Sequence, residues 1–442
     1  MKRIALIILA LLALALAAEP SFYPLTILAE NCLVYNNAAC DYNNISLNGV
    51  VDNTSRNLFL TSRLYHASGD LTNPSTDQRF LSYNVTTVPT VVFNGSMSVV
   101  GGGSVESYMQ LLDNFLFLPS PLKMQVTNFN STTGAASVSI TLLDPTVNIT
   151  DQDLVWFLVE DNVDAATNVT RQVLNQSISL PSAGDPVTFT NTFTLHPAWN
   201  VNNLWVMASV QLDTSQILQS VSSLPLPTHN LRCSFDWEGD SLVGNTSSLL
   251  NSETVWFFNM GAADDKTIQI VVDNAPADWS FNFCDEVGNC YPGSSPLPLS
   301  MAAGEIKGFH LNLWIGSSGT ADFHFLVNSN NHNPVIVPFS ARSSDVANDD
   351  DLLQPGLSLG ANYPNPFRGS TTFSLSSEKS GGSATLQIFN LKGQKVSDLL
   401  LPNVNQGANS VQWQVPESLP AGIYLYRLEN QPGTLRRMLH LK

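Results

Sequence analysis

Charge is scarce in this sequence: only 12% of its residues are Asp, Glu, Lys or Arg, about half of the ~25% usual in soluble domains. Basic residues are the scarcer sign, 19 against 36 acidic, for a formal net charge of −17. That balance argues against nucleic-acid binding, which needs cationic surface to replace counterions. Cysteine is sparse too. There are five, at positions 32, 40, 233, 284 and 290, and none forms a CxxC pair. A working thiol–disulfide oxidoreductase keeps two cysteines at that spacing at a helix N-terminus, where the dipole lowers the nucleophile's pKa. HExxH, GxSxG, P-loop and dinucleotide fingerprints are also missing, so no catalytic residue, metal or cofactor is expected. Beyond residue 16 no apolar run approaches the ~20 residues of a spanning helix, and no transmembrane segment is expected in the mature chain.

Asn, Ser and Thr supply the polarity that charge does not, which suits the exposed faces of β-sheets. A hydrophobic content of 43% is enough to build cores, so the chain is not a disordered one. Its 442 residues imply roughly three or four domains of about 100–150 residues. The first 17 residues read as a secretory signal: Lys2 and Arg3, an apolar core from Ile4 to Leu16, and Ala15-Leu16-Ala17 as the cleavage motif. In an exported chain the cysteines can pair. Cys284 and Cys290 flank the turn-like "DEVGN" and are expected to form a local bridge; Cys32 and Cys40 are the next candidates, leaving Cys233 single.

Residues 18–118 alternate strand and helix signals. "PLTILAE" and "NLFLTSRLYH" read as buried strands, Asn73-Pro74 as the cap and first turn of a short helix, and "TVPTVVFNG" and "SMSVVGG" as two more strands. A last helix starts at Ser104, with Val105, Tyr108, Met109, Leu112, Phe115 and Leu116 on one face. This order, with Val88-Pro89 leading into a strand, resembles a thioredoxin-like domain. The resemblance implies a cis Pro89 beside any redox cysteines, yet Cys32 and Cys40 are separated by seven residues. A helix between them would hold them ~12 Å apart, beyond the ~4.4–6.8 Å Cα separation of a disulfide. The Asn-rich "YNNAACDYNN" is poor helix material in any case.

Residues 119–227 show strand signals only, among them "DLVWFLVED", "RQVLNQSISL" and "NLWVMASVQL", at the intervals of a β-sandwich. Residues 18–227 together resemble a Bacteroidota outer-membrane-protein family with a redox-degenerate thioredoxin-like head, through "VTTVPTVVFNG", "VWFLVED", "RQVLNQ" and "NLWVMASVQ". Residues 228–342 read as a second sandwich, immunoglobulin-like, and 343–358, with Asp349-Asp350-Asp351, as an acidic linker. His310 and His324 sit on separate predicted strands and carry no recognisable chemistry.

Residues 359–442 form the last module. Val411, Trp413 and Val415 alternate with Gln412 and Gln414, the period of a half-buried strand, and Leu386 and Ile388 alternate with Thr385 and Gln387 in the same way. The module holds eight Lys/Arg against four Asp/Glu, a basic unit behind strongly acidic cargo. "NYPNPF" at 362–367, "ATLQIFNLKGQKV" and "LPAGIYLYRLE" resemble the type A C-terminal sorting domain of the type IX (Por) secretion system. That resemblance implies passage through the periplasm to the outer-membrane surface or the medium, with the secretion machinery as partner.

The fold class expected is therefore α/β plus all-β: a thioredoxin-like head and three immunoglobulin-like sandwiches. The function expected is non-enzymatic binding of an unidentified surface ligand, or structural display. The alternative is an extracytoplasmic thiol–disulfide oxidoreductase that uses Cys32, with Cys40 resolving and Pro89 orienting the substrate.

Overall fold

The structure is a computed structural model. It describes residues 19–441 apart from 35–36, 54–58, 66–70, 114, 164–165, 213–215, 236–240, 345–356, 364, 366, 378–382, 391–394, 417–418, 420–421 and 430. The expected signal segment and the acidic triplet at 349–351 lie outside the described residues. Strand dominates what is described, in several sheets.

The first hundred residues run β1 (Tyr23–Pro24), β2 (Ile27–Leu33), α1 (Ala38–Asn53), β3 (Phe59–Tyr65), α2 (Pro74–Ser82), β4 (Thr90–Phe93), β5 (Met97–Val100) and α3 (Val105–Leu112). Strand β2 pairs parallel with β3 and antiparallel with β4, and β4 pairs antiparallel with β5. The α1 helix forms despite its asparagines. Asn37 caps it, accepting from the amides of Ala39 and Cys40 at 3.0 and 3.1 Å. The amides of Asn43 and Asn44, which would otherwise compete with the helix backbone, are engaged across the interior. Asn43 Nδ2 donates to Asn31 Oδ1 (2.9 Å), Asn31 Nδ2 donates to Asn44 Oδ1 (2.8 Å), and the Tyr108 hydroxyl donates to Asn43 Oδ1 (2.6 Å).

The next elements are β6 (Pro119–Ser120), β7 (Leu122–Asn130), β8 (Ala135–Leu142), β9 (Gln152–Glu160), β10 (Val169–Ile178), β11 (Val187–Thr192), β12 (Leu204–Leu212) and β13 (Gln216–Ser222). The expected division at 118/119 does not separate two sheets. Strands of both segments form one eight-stranded sheet in the order β13-β12-β9-β10-β3-β2-β4-β5. The seam is parallel, with Val169 opposite Arg63, and is reinforced by a 2.5 Å contact between the Ser62 and Thr170 hydroxyls. Both faces of its middle are covered, which is why β9 reads as an unbroken apolar run. Leu154, Trp156 and Leu158 face the separate three-stranded sheet β11-β8-β7. Val155, Phe157 and Val159 pack instead with Leu28, Leu60, Leu64 and Phe80 of the first segment. The sheet curls around α2, so that Ile217 N beside β12 donates to Asn94 O after β4 at 3.0 Å.

The third segment is a sandwich of two five-stranded sheets around one core. Its strands are β14 (Leu231–Ser234), β15 (Ser241–Gly244), β16 (Ser248–Asn259), β17 (Asp264–Asn274), β18 (Ser280–Asp285), β19 (Cys290–Pro292), β20 (Leu297–Met301), β21 (Ile306–Ile315), β22 (Thr320–Ser329) and β23 (Val335–Ser343). One sheet runs β14-β16-β21-β18-β19 and the other β15-β23-β22-β17-β20.

The last segment has β24 (Leu357–Tyr363), β25 (Phe367–Arg368), β26 (Ser370–Ser377), β27 (Ala384–Asn390), β28 (Lys395–Leu401), β29 (Gly407–Gln414), β30 (Gly422–Leu428) and β31 (Gln431–Leu441). These make a three-stranded sheet, β24-β26-β29, against a five-stranded one, β25-β31-β30-β27-β28. Their shared core includes Phe367, Phe373, Trp413, Tyr424 and Tyr426.

Candidate functional site

The two cysteines singled out for redox chemistry are unbonded and lie in separate clusters. Cys32 lies on β2 and packs with Leu28, Leu64 and Phe80. Cys40 lies in the first turn of α1 and packs in a different cluster, with Leu33, Tyr65, Leu71 and Val169. Both are free and buried. Burial raises the pKa of each thiol; at Cys32 the charge of Glu30 raises it further and outweighs the opposing pull of Arg79. Raised thiols are poor nucleophiles at neutral pH. Cys40 thus occupies a helix N-terminus, where a dipole could activate it, but desolvation wins. The Val88–Pro89 peptide bond is cis. A Cβ on nearby Gly102 would come within 3.1 Å of the Pro89 ring and 2.6 Å of Asn43 Oδ1. The proline therefore faces the asparagine network of α1.

Sequence reasoning missed the charged centre inside the curled sheet. Arg79 of α2 is buried, and its guanidinium donates to both oxygens of Glu30 on β2 at 2.7 Å each, and to Gln211 Oε1 on β12 at 2.7 Å. The Tyr83 hydroxyl joins Glu30 and Arg79. One fork thereby links strands four places apart in the sheet. The first turn of α2 is tied to the second segment as well, because Ser75 Oγ accepts from Val173 N at 2.9 Å. A groove of about 280 Å³ opens beside Arg79, lined by Ser75, Gln78, Asp153, Asn175 and Gln211 and by the apolar Val173 and Leu174. Glu30 neutralises the arginine, so the groove presents no free cation to an anionic ligand. The alternation of "NPSTDQRFL" gives no hint of this centre, since an arginine on a short helix reads as a solvated residue.

In the third segment Cys284 and Cys290 face each other across the β18–β19 hairpin and are disulfide-bonded, with Cα atoms 4.0 Å apart. Cys233 is free and buried. His310 and His324 are not brought together: β21 belongs to one sheet and β22 to the other, and His324 Nδ1 meets Asp273 Oδ2 at 2.9 Å. A buried polar cluster lies at the sandwich edge. Lys266 Nζ sits 2.9 Å from Asp264 Oδ2, while Ser329 Oγ and Asn331 Nδ2 donate to the same carboxylate at 2.7 and 2.6 Å. Burial alone would raise the pKa of Asp264, but the hydrogen bonds from Lys266, Ser329 and Asn331 outweigh it and hold the carboxyl well below the usual range. Among the described residues no helix is long and apolar enough to cross a membrane.

In the last segment, Asn362 and Phe367, the two ends of the motif at 362–367, are buried. Asn362 N donates to the Tyr426 hydroxyl and Asn362 Nδ2 to Thr371 Oγ1, both at 3.0 Å. The Phe367 ring packs against those of Trp413 and His440, with centroids 6.0 and 5.4 Å away. Arg436 Nε donates to Leu359 O at 3.0 Å, fastening the first strand to the last. Residues 361–441 match the family described as the secretion system C-terminal sorting domain. That domain implies interaction with the type IX secretion machinery and export beyond the cell, to its surface or the extracellular space. The match leaves residues 1–360 unassigned, and no curated protein matches the chain. Among solved structures, latent PorU of Porphyromonas gingivalis is 16% identical, with 73% of this chain covering 34% of that one at a TM-score of 0.18. The N-terminal domain of PorA is 13% identical over 24% of this chain and 85% of that one, TM-score 0.19. A CARDB domain from Pyrococcus furiosus is 14% identical over 27% of this chain and 93% of that one, TM-score 0.19. Similarity this low transfers neither fold nor function.

Proposed function

We propose that this chain is a type IX secretion cargo whose upstream part is a non-enzymatic binding or display protein at the outer surface or in the medium. The observation that carries the reading is the coincidence, at 361–441, of the sorting-domain match with a sandwich that closes its own core. On this reading residues 18–118 are a thioredoxin-like head that has lost its redox pair. Its β-α-β-α-β-β-α order and the two separately buried thiols favour that view. Residues 119–227 and 228–342 are then sandwiches, the first welded to the head, and 343–358 is the linker to the sorting domain. The oxidoreductase alternative requires Cys32 and Cys40 to exchange electrons. We expect purified protein to reduce a model disulfide no faster than its Cys32→Ser variant; turnover lost in that variant would replace this reading with the alternative.

A further inference from the structure

The sheet β14-β16-β21-β18-β19 has one face in the sandwich core and one facing outward. Near β14 the outward face is covered, where Phe258 packs against the rings of Phe22 and Tyr23. Its open part is ordered in rows by the register. Asn251, Asn312 and Asn282 lie side by side on three adjacent strands. None of their side chains makes a hydrogen bond to another described residue, although a native sheet surface offers many partners within reach. Trp314 lies one row to one side and is 42% exposed. On the other side Trp256 stands opposite Gly308, whose missing side chain admits the ring: a Cβ there would come within 2.9 Å of Trp256 Cζ3. Gly308 and Trp314 are six residues apart on β21, so the two indoles bracket the amide row over ~20 Å.

We propose that this face binds a neutral polysaccharide. The occupant follows from the chemistry. Flat indole faces accept the C–H-rich faces of sugar rings, being broad and apolar with a polar edge. Unengaged amides, each with donors and an acceptor, match adjacent hydroxyls. No Lys or Arg stands in the rows between the tryptophans, while exposed Glu253 lies on β16 between Asn251 and Trp256 and the Glu286 carboxylate accepts from Gly308 N. In a chain of net charge −17, an anionic glycan or nucleic acid would be repelled both locally and at long range. A protein partner would need a larger continuous apolar core than the two separated indoles and exposed Leu249, opposite Trp314, supply. This assignment deepens the reading of the upstream part as a binding cargo, but binding in vitro is independent of export.

The test is affinity electrophoresis of the purified chain through native gels containing soluble starch, laminarin, mannan or xyloglucan, with polygalacturonate as the anionic comparison. At least one neutral polysaccharide is expected to retard the protein. Trp314→Ala is expected to weaken that retardation at least ten-fold, and Asn312→Ala to weaken it measurably. Val272→Ala, an exposed residue on the opposite sheet, should leave it unchanged. Migration unaltered by all four neutral polysaccharides, retardation by polygalacturonate alone, or retardation that survives Trp314→Ala would each overturn the proposal. Failure of export in cells with normal retardation in gels would count against the secretion reading and leave this assignment standing.

Discussion

At the scale of single residues, burial decides what the titratable groups can do. The three free thiols, Cys32, Cys40 and Cys233, are all buried, and desolvation raises each of them. A thiol reagent is therefore expected to find none of them in the native protein and three per chain after unfolding in guanidinium. Fast labelling of Cys40 in the native state would show the α1 terminus to be accessible. Asp264 behaves oppositely, its carboxyl held below the usual range by its hydrogen-bond donors against the cost of burial. A depressed carboxyl contributes stability that is fully present above its unfolded value, ~3.9, and is lost as pH falls toward the folded one. Urea unfolding of the third segment, followed by tryptophan fluorescence, should therefore weaken below about pH 4, and Asp264→Asn should flatten that acid limb. Lys266→Met, which strands the carboxylate, should cost about 3–5 kcal/mol at neutral pH. An unchanged urea midpoint in Lys266→Met would contradict the pairing.

At the scale of elements, the covering of the eight-stranded sheet is the main departure from what the sequence suggests. Alternation in "SVQWQV" and "ATLQIF" marks strands with one wet face, and the structure has β27 and β29 there with Leu386, Ile388 and Trp413 in one core. "DLVWFLVE" announces a strand with two dry faces, but an apolar run cannot say which segment supplies the second cover. That cover is α2, seventy-odd positions earlier in the chain, whose Phe80 packs with Val155 and Phe157. The α1 helix was illegible for a related reason. Asparagine propensity is a local quantity, whereas the partners of Asn43 and Asn44 are Asn31 on β2 and Tyr108 on α3. The tryptophan–asparagine face was hidden too, since only the strand register aligns positions 251, 282 and 312. A consequence can be measured. Residues 19–118 expressed alone would expose the face of Leu28, Leu60, Leu64 and Phe80 and strand the Glu30–Arg79 pair without Gln211. That fragment should aggregate or remain molten, whereas 19–227 should unfold in a single sharp transition. A stable, cooperatively folded 19–118 would show the seam to be a docking contact rather than one core.

At the scale of the whole molecule, the chain divides into parts with different jobs. The upstream sheets are rich in asparagine, serine and threonine and carry sparse charge that is mostly acidic, and the basic last module closes its own core without borrowing from them. A module that folds by itself can be read by export machinery whatever precedes it, which is the property an address needs. Its motif residues Asn362 and Phe367 serve that independence, one hydrogen-bonded to Tyr426 and Thr371, the other wedged between Trp413 and His440. The most direct measurement is fractionation of cells producing the full chain or a chain lacking residues 359–442. The full chain is expected on the cell surface or in the medium, and the truncated chain in the periplasm, protease-resistant and with its Cys284–Cys290 bridge intact. Truncated protein reaching the surface or the medium as efficiently as the full chain would contradict the assignment of the last module as the export address.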